Sequence, residues 1–195
     1  MDRVKNLAFI FLAVAFAASA NQEDGRLVVD PTIVSCDSFA IAKTGRTFSV
    51  EIMKDTTHGR GDSGLVGYVY TRLRHPTAII CKPLPAAAVG LSLDTLLERW
   101  GAFASDSSVA TYLIRVDLLD FALKETPHFF YQTLDATVRF KIDLIDHRTL
   151  LAVRSFTIDS QRSRAVFNSG RNSVKVIRDA LQNALSQVIQ TLNSL

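Results

Sequence analysis

Gly61, Asp62, Ser63 and Gly64 spell the tetrapeptide that surrounds the nucleophilic serine of chymotrypsin-like proteases, and His58 lies five residues before Ser63. A serine attacks only when a base takes its proton and rigid elements hold the two within hydrogen-bond reach. In those enzymes the base comes from far upstream, on another part of a double β-barrel. Here both residues fall in residues 54–64, a polar stretch with three glycines that reads as a surface loop without a frame. A small secreted hydrolase using Ser63 of this loop is therefore the second reading, and a Ser63→Ala variant separates it from the first. Arg60, Gly61 and Asp62 also spell an adhesion tripeptide, a match so short that chance supplies it.

Other groups that could do chemistry are dispersed. His58, His75, His128 and His147 sit in loops and turns, and no two have the spacing of metal ligands. Asp117, Asp120, Asp135 and Asp143 could in principle pair for acid–base work, but Asp135 and Asp143 alternate with Arg139 and Lys141 along one strand, where ordinary ion pairs account for them. No glycine-rich loop leads from a strand into a helix, so a nucleotide has no cradle. These patterns point to no catalytic residue, no cofactor and no metal, and to a chain that is not an enzyme.

One charge feature stands out. Arg162, Arg164, Arg171, Lys175 and Arg178 fall within 17 residues with no acid before Asp179. Cations in the first turns of a helix oppose its dipole, so stability does not account for them. An anionic partner, either a lipid headgroup or an acidic envelope protein, would account for them, and a solvated basic face is the alternative. The formal net charge of +3 is too small to argue for nucleic acid.

The first twenty residues bear on the compartment. Arg3 and Lys5 precede an apolar run from residue 7 to residue 16, and Ala18, Ser19 and Ala20 offer small residues at the positions read by signal peptidase. This is a secretory leader cut after Ala20. The run is too short to span a bilayer, and no cysteine stands near the cut to take a lipid. About 175 residues then remain, the size of one domain, residues 21–195. In an oxidising compartment Cys36 and Cys81, the two cysteines of the chain, are expected to pair. That bond would close a loop of about 45 residues, worth on the order of 4 kcal/mol in the chain-entropy model; two buried free thiols are the alternative.

The elements follow from periodicity. Leu134, Ala136, Val138, Phe140, Ile142 and Leu144 occupy every second position with polar residues between them, which predicts a strand with one dry face. Asp146, His147 and Arg148 break the run, and Leu150, Ala152, Phe156 and Ile158 resume it with Arg154 as a discord, so residues 133–158 read as an antiparallel hairpin. Upstream, residues 47–53 form a strand with Phe48, Val50 and Ile52 inward, and residues 65–70 and 77–81 form two short strands. Residues 25–44 are mixed and read as an edge strand or extended lead-in, with the apolar runs 27–29 and 33–34 separated by Asp30 and Pro31. A helix opens at Pro85 or Ser92 and ends before Gly101, and residues 110–121 form the strand before the hairpin, with 124–128 turning the chain. Val174, Ile177, Leu181, Ala184, Leu185, Val188, Ile189 and Leu192 share one face of a last helix over 173–192, which covers the sheet. The order predicts an α+β fold, a two-layer α/β sandwich with a mostly antiparallel sheet and both helices on one face.

With its exported leader, the strand and turn at 47–55, the 64–67 stretch, the helix at 92–101 followed by the 110–121 strand, and the 133–158 hairpin before a closing helix, the chain resembles the YajG-like bacterial envelope lipoproteins. Related patterns occur in the auxiliary lipoproteins of ABC-type lipid transporters and in the amino-terminal domains of TolB and the curli secretion lipoprotein. The resemblance covers most of the mature chain and implies a non-enzymatic periplasmic protein at the outer membrane, an accessory to outer-membrane assembly or to ABC-type lipid transport. This sequence departs from the lipoproteins in lacking the lipid-modified cysteine.

Overall fold

The computed structural model describes residues 21–23, 26–33, 45–55, 64–70 and 75–195. The leader, Cys36, His58, Arg60 and the Gly61, Asp62 and Ser63 of the candidate nucleophile loop lie outside the described residues.

Among the described residues, eight strands and two α-helices follow the order β1 (Asn21–Glu23), β2 (Arg26–Val29), β3 (Phe48–Asp55), β4 (Leu65–Tyr70), β5 (Pro76–Cys81), α1 (Pro85–Arg99), β6 (Tyr112–Pro127), β7 (Gln132–Asp146), β8 (Ala152–Val166) and α2 (Ser169–Asn193). The strands make one sheet in the order β1-β2-β5-β4-β6-β7-β8, with β3 also bonded to β6. The long pairs β6–β7 and β7–β8 are antiparallel, as are β1–β2 and β4–β5, whereas β2–β5, β3–β6 and β4–β6 are parallel. Both helices cover the same face, so the fold is the α+β sandwich that the periodicity predicts.

The core is the apolar row of β7 under α2. Leu134, Ala136, Val138, Phe140, Ile142 and Leu144 are each no more than 1 % exposed, and Leu181, Leu185 and Val188 of α2 are fully buried. Ile114, Val116 and Leu118 of β6 share that face, in register with Leu144, Ile142 and Phe140. α1 opens with Pro at its first turn and ends where Gly101 takes φ 66°, and it packs under β3 with Gly90 against Ile52. Gly67 is required for a different reason: a Cβ there would overlap the Leu123 carbonyl, so only glycine lets β4 approach β6.

Three boundaries differ from expectation, each for a local reason. β6 does not end at Phe121 but runs to Pro127, because Leu119 is an extra residue between Leu118↔Phe140 and Asp120↔Arg139. This bulge shifts the alternation by one and puts Phe121 and Leu123 back on the buried face. β8 continues past Ile158 to Val166, so Arg162 and Arg164 belong to a strand and not to the connection before the last helix. α2 begins at Ser169, four residues before the expected start at residue 173, because Asn168 caps it by accepting the Arg171 N–H at 3.1 Å.

Because Leu185 is enclosed on all sides, Leu185→Ala should lower stability by about 2–5 kcal/mol, while Gln190→Ala on the exposed face should cost less than about 0.5 kcal/mol. Urea denaturation of the two variants checks this, and equal midpoints would mean that α2 does not dock by this face.

Candidate functional site

Pro127 pairs with Gln132 and Gln132 with Val166, so the β6–β7 turn and the exit of β8 stand side by side at one end of the sheet. The turn is His128, Phe129, Phe130 and Tyr131, closed by a hydrogen bond from the His128 N–H to the Tyr131 carbonyl at 2.8 Å. The His128 and Tyr131 rings stack at 4.5 Å, and His128 Nε2 lies 3.0 Å from Thr133 Oγ1. Beyond them Phe129 and Phe130 meet edge to face at 4.6 Å, yet are 92 % and 80 % exposed. Phe167, the residue after β8, is 86 % exposed. Single exposed apolar residues are ordinary on a soluble surface, whereas three exposed phenylalanines stand together at one end of this sheet.

The basic residues divide around this end. Arg164 is exposed on β8, two residues before its last, and pairs with Leu134. Arg171 and Lys175 are exposed on the first turns of α2, which carries no acid in its opening turn to offset them. Their i,i+4 spacing places like charges together, and both oppose the helix dipole. Arg162 lies further from the tip, in an open polar groove of about 550 Å³ between β8 and α2, with Asp179, Asn183 and Gln190. Arg178 is turned to the other flank of α2, where its Nε–H donates to the Asp30 carbonyl at 3.0 Å. The structure thus brings Arg164, Arg171 and Lys175 to the aromatic end and gives Arg162 and Arg178 other surroundings.

A buried carboxylate fixes the geometry. Glu125, 8 % exposed on the helix-covered face of β6, accepts from Ser169 Oγ at 2.7 Å and from the Tyr70 backbone N–H. One side chain therefore ties the start of α2 and the end of β4 to the strand that leads into the aromatic turn. The opposite end of the hairpin exposes Leu150 and Leu151. There the Asp146 carboxyl accepts from the Thr149 and Arg148 N–H groups, which hold its pKa below the usual carboxylate range and keep it charged.

Cys81 lies fully buried at the end of β5 as a free thiol. Burial pushes its pKa up, and the nearby Asp30 charge adds to the rise, which disfavours the thiolate. Lys141 and Asp143, alternating on the wet face of β7, are joined at 2.7 Å, and Arg115 meets Glu51 across strands at 2.9 Å. No helix among the described residues is long and apolar enough to cross a membrane.

No protein-family model matches the chain, and no curated protein matches it. Solved structures do. A crystal structure of a Xanthomonas campestris protein described under the family model DUF330 superposes with a TM-score of 0.60 at 14 % identity, over 85 % of this chain and 94 % of that one. A minor lipoprotein from Acinetobacter baumannii gives 0.46 at 11 % identity, over 76 % of this chain and 93 % of its own. The PelC dodecamer of Paraburkholderia phytofirmans gives 0.34 at 14 % identity, over 75 % and 94 %. The first of these establishes a shared fold, and the chain spans nearly all of it.

Glu125→Ala would leave the Tyr70 N–H and the Ser169 hydroxyl without their acceptor in a buried place, which should cost about 1–3 kcal/mol. Glu125→Gln, whose amide oxygen can still accept, should cost less. An unchanged urea midpoint for the alanine variant would mean that this carboxylate does not hold the end of the sheet together.

Proposed function

We propose that this chain is a non-enzymatic accessory protein of the bacterial cell envelope, exported by its leader, that attaches through the aromatic and basic end of its sheet to an anionic membrane surface. Its service there is to outer-membrane assembly or to ABC-type lipid transport. The observation that carries the reading is the exposure of Phe129, Phe130 and Phe167 beside Arg164, Arg171 and Lys175. Phenyl rings at the tip lose water-exposed apolar area on entering the headgroup boundary, and the amphipathic Tyr131 and His128 stand behind them where aromatic rings favour an interface. Cations further back face the anionic headgroups, each contributing on the order of 1 kcal/mol near such a surface. A peripheral attachment of this kind needs no lipid-modified cysteine, which suits a chain that lacks one near its leader.

Co-sedimentation with phosphatidylcholine vesicles, with and without phosphatidylglycerol, tests the reading. The protein should bind the anionic vesicles at low salt. Arg171→Glu with Lys175→Glu should weaken that binding by about tenfold or more, and the difference should shrink as salt rises. Phe129→Ser with Phe130→Ser should weaken it without lowering the melting temperature, because neither ring is packed in the core. Failure of the unsubstituted protein to bind anionic vesicles would contradict the membrane reading and leave an acidic protein as the partner of the cations.

A further inference from the structure

Ser49 Oγ and Asp94 Oδ1 are buried, lack a hydrogen-bond partner, and line the same cleft of about 410 Å³. Buried polar atoms are nearly always paired, so two in one cleft call for an explanation. The cleft lies along the outer edge of β3. That strand is bonded to β6 on one side, where the Thr47 carbonyl accepts from the Tyr112 N–H at 3.0 Å. On its other side Phe48 donates to the Ala102 carbonyl and accepts from the Ala104 N–H, both at 2.8 Å, in a single parallel bridge to Phe103. Along a parallel ladder, successive residues turn their backbone groups to alternate sides. Val50 and Ile52, in phase with Phe48, therefore direct N–H and C=O outward, where no described strand lies beside them. The segment that bridges Phe48 leaves the edge after Ala104 and enters the short 3₁₀ turn Ser107–Val109.

The surroundings of this open edge are polar on both faces. Ser49 shares with its register partner Leu113 the face of the sheet opposite the helices, while Asp94 comes from α1 on the helix side. Burial raises the Asp94 pKa and the Glu98 charge adds to it, so the carboxylate would be stabilised by a cationic donor. Free edges are usually blunted. β8 carries Arg154, Arg162 and Arg164 in register with the apolar row of β7, whereas β3 carries Lys54 only past the bulge that follows Ile52 and leaves the run Phe48, Ser49, Val50, Glu51, Ile52 without lysine or proline. Gly90 holds α1 close beneath Ile52, so the edge is set on a helix and does not depend on a loop.

We infer that this edge is a peptide-binding site: an extended segment of a partner polypeptide adds as a strand beside Val50 and Ile52, in line with Phe103, and brings a lysine or arginine to Asp94. Backbone bonds to the edge supply affinity and the Asp94 contact supplies selectivity. A second copy of this chain fits less well, since pairing two such edges would bring a second Asp94 and Glu98 toward the first pair. This inference stands apart from the membrane end, which lies at the far end of β6.

A random seven-residue peptide library displayed on phage and panned against the purified protein tests it. Enriched sequences should be extended in pattern and carry a lysine or arginine. The synthetic form of an enriched peptide should slow amide hydrogen exchange at Val50 and Ile52. Asp94→Asn, a change of charge without a change of shape, should reduce its affinity by about tenfold, to that of the same peptide with its basic residue replaced by glutamine. No enrichment, or an enriched peptide that leaves exchange at Val50 and Ile52 unchanged, would overturn the inference. Slowing of those two amides by raised protein concentration alone would overturn it in favour of a second copy.

Discussion

A sheet with a single covered face depends on that cover, and here the dependence is concentrated in the row from Leu134 to Leu144 on β7. Six side chains on one strand reach the interior only because α2 lies over them, and burying each large aliphatic group contributes about 1.5–3 kcal/mol relative to exposure. The other elements are arranged around that contact. β6 extends the same dry face on one side, across the bulge at Leu119, β8 adds the buried Ile158 beside Phe140 on the other, and α1 closes the remainder under β3.

β6 imposes the second constraint. Its sixteen residues are longer than either neighbour on its β3–β4 side, so one edge of β6 serves two strands: β3 along Tyr112 to Leu118 and β4 at Leu123. Gly67 makes the second junction possible by bringing the β4 backbone against Leu123. The sheet continues outward from β4 through β5, β2 and β1, while among the described residues no further strand pairs with the outer side of β3. The open edge at Val50 and Ile52 is thus a consequence of how β6 is shared, and the aromatic turn is a consequence of how far β6 extends past its bulge.

What could be read in the sequence follows the same division. Strict alternation in β7 and the helical stripe of α2 identify themselves, because every inward position is apolar and every outward one is tolerant of charge. The bulge at Leu119 hid the second half of β6, since a shift of one residue makes a continuing strand look like its end. Arg162 and Arg164 hid the second half of β8, because at an edge strand the inward face extends past the rim of the helix and a long cation can reach water from there. The three consecutive aromatics at 129–131 after Pro127 were the available signal for the aromatic end, obscured by reading the chain as turning at 124–128. Ser49 and Asp94 are far apart in the chain, and only the vacant side of β3 makes them neighbours of one cleft.

The basic end combines unfavourable local electrostatics with unfavourable solvation: cations on the first turns of α2 and phenyl rings in water. An anionic bilayer interface relieves both at once. The most direct measurement is the emission of a tryptophan placed at the tip, Phe130→Trp with the native Trp100 changed to Phe, on vesicles containing phosphatidylglycerol and lipids brominated in the upper acyl chain. The account predicts a blue shift on binding and quenching by the bromines, both lost at high salt. Emission that stays unshifted and unquenched on the anionic vesicles would contradict it.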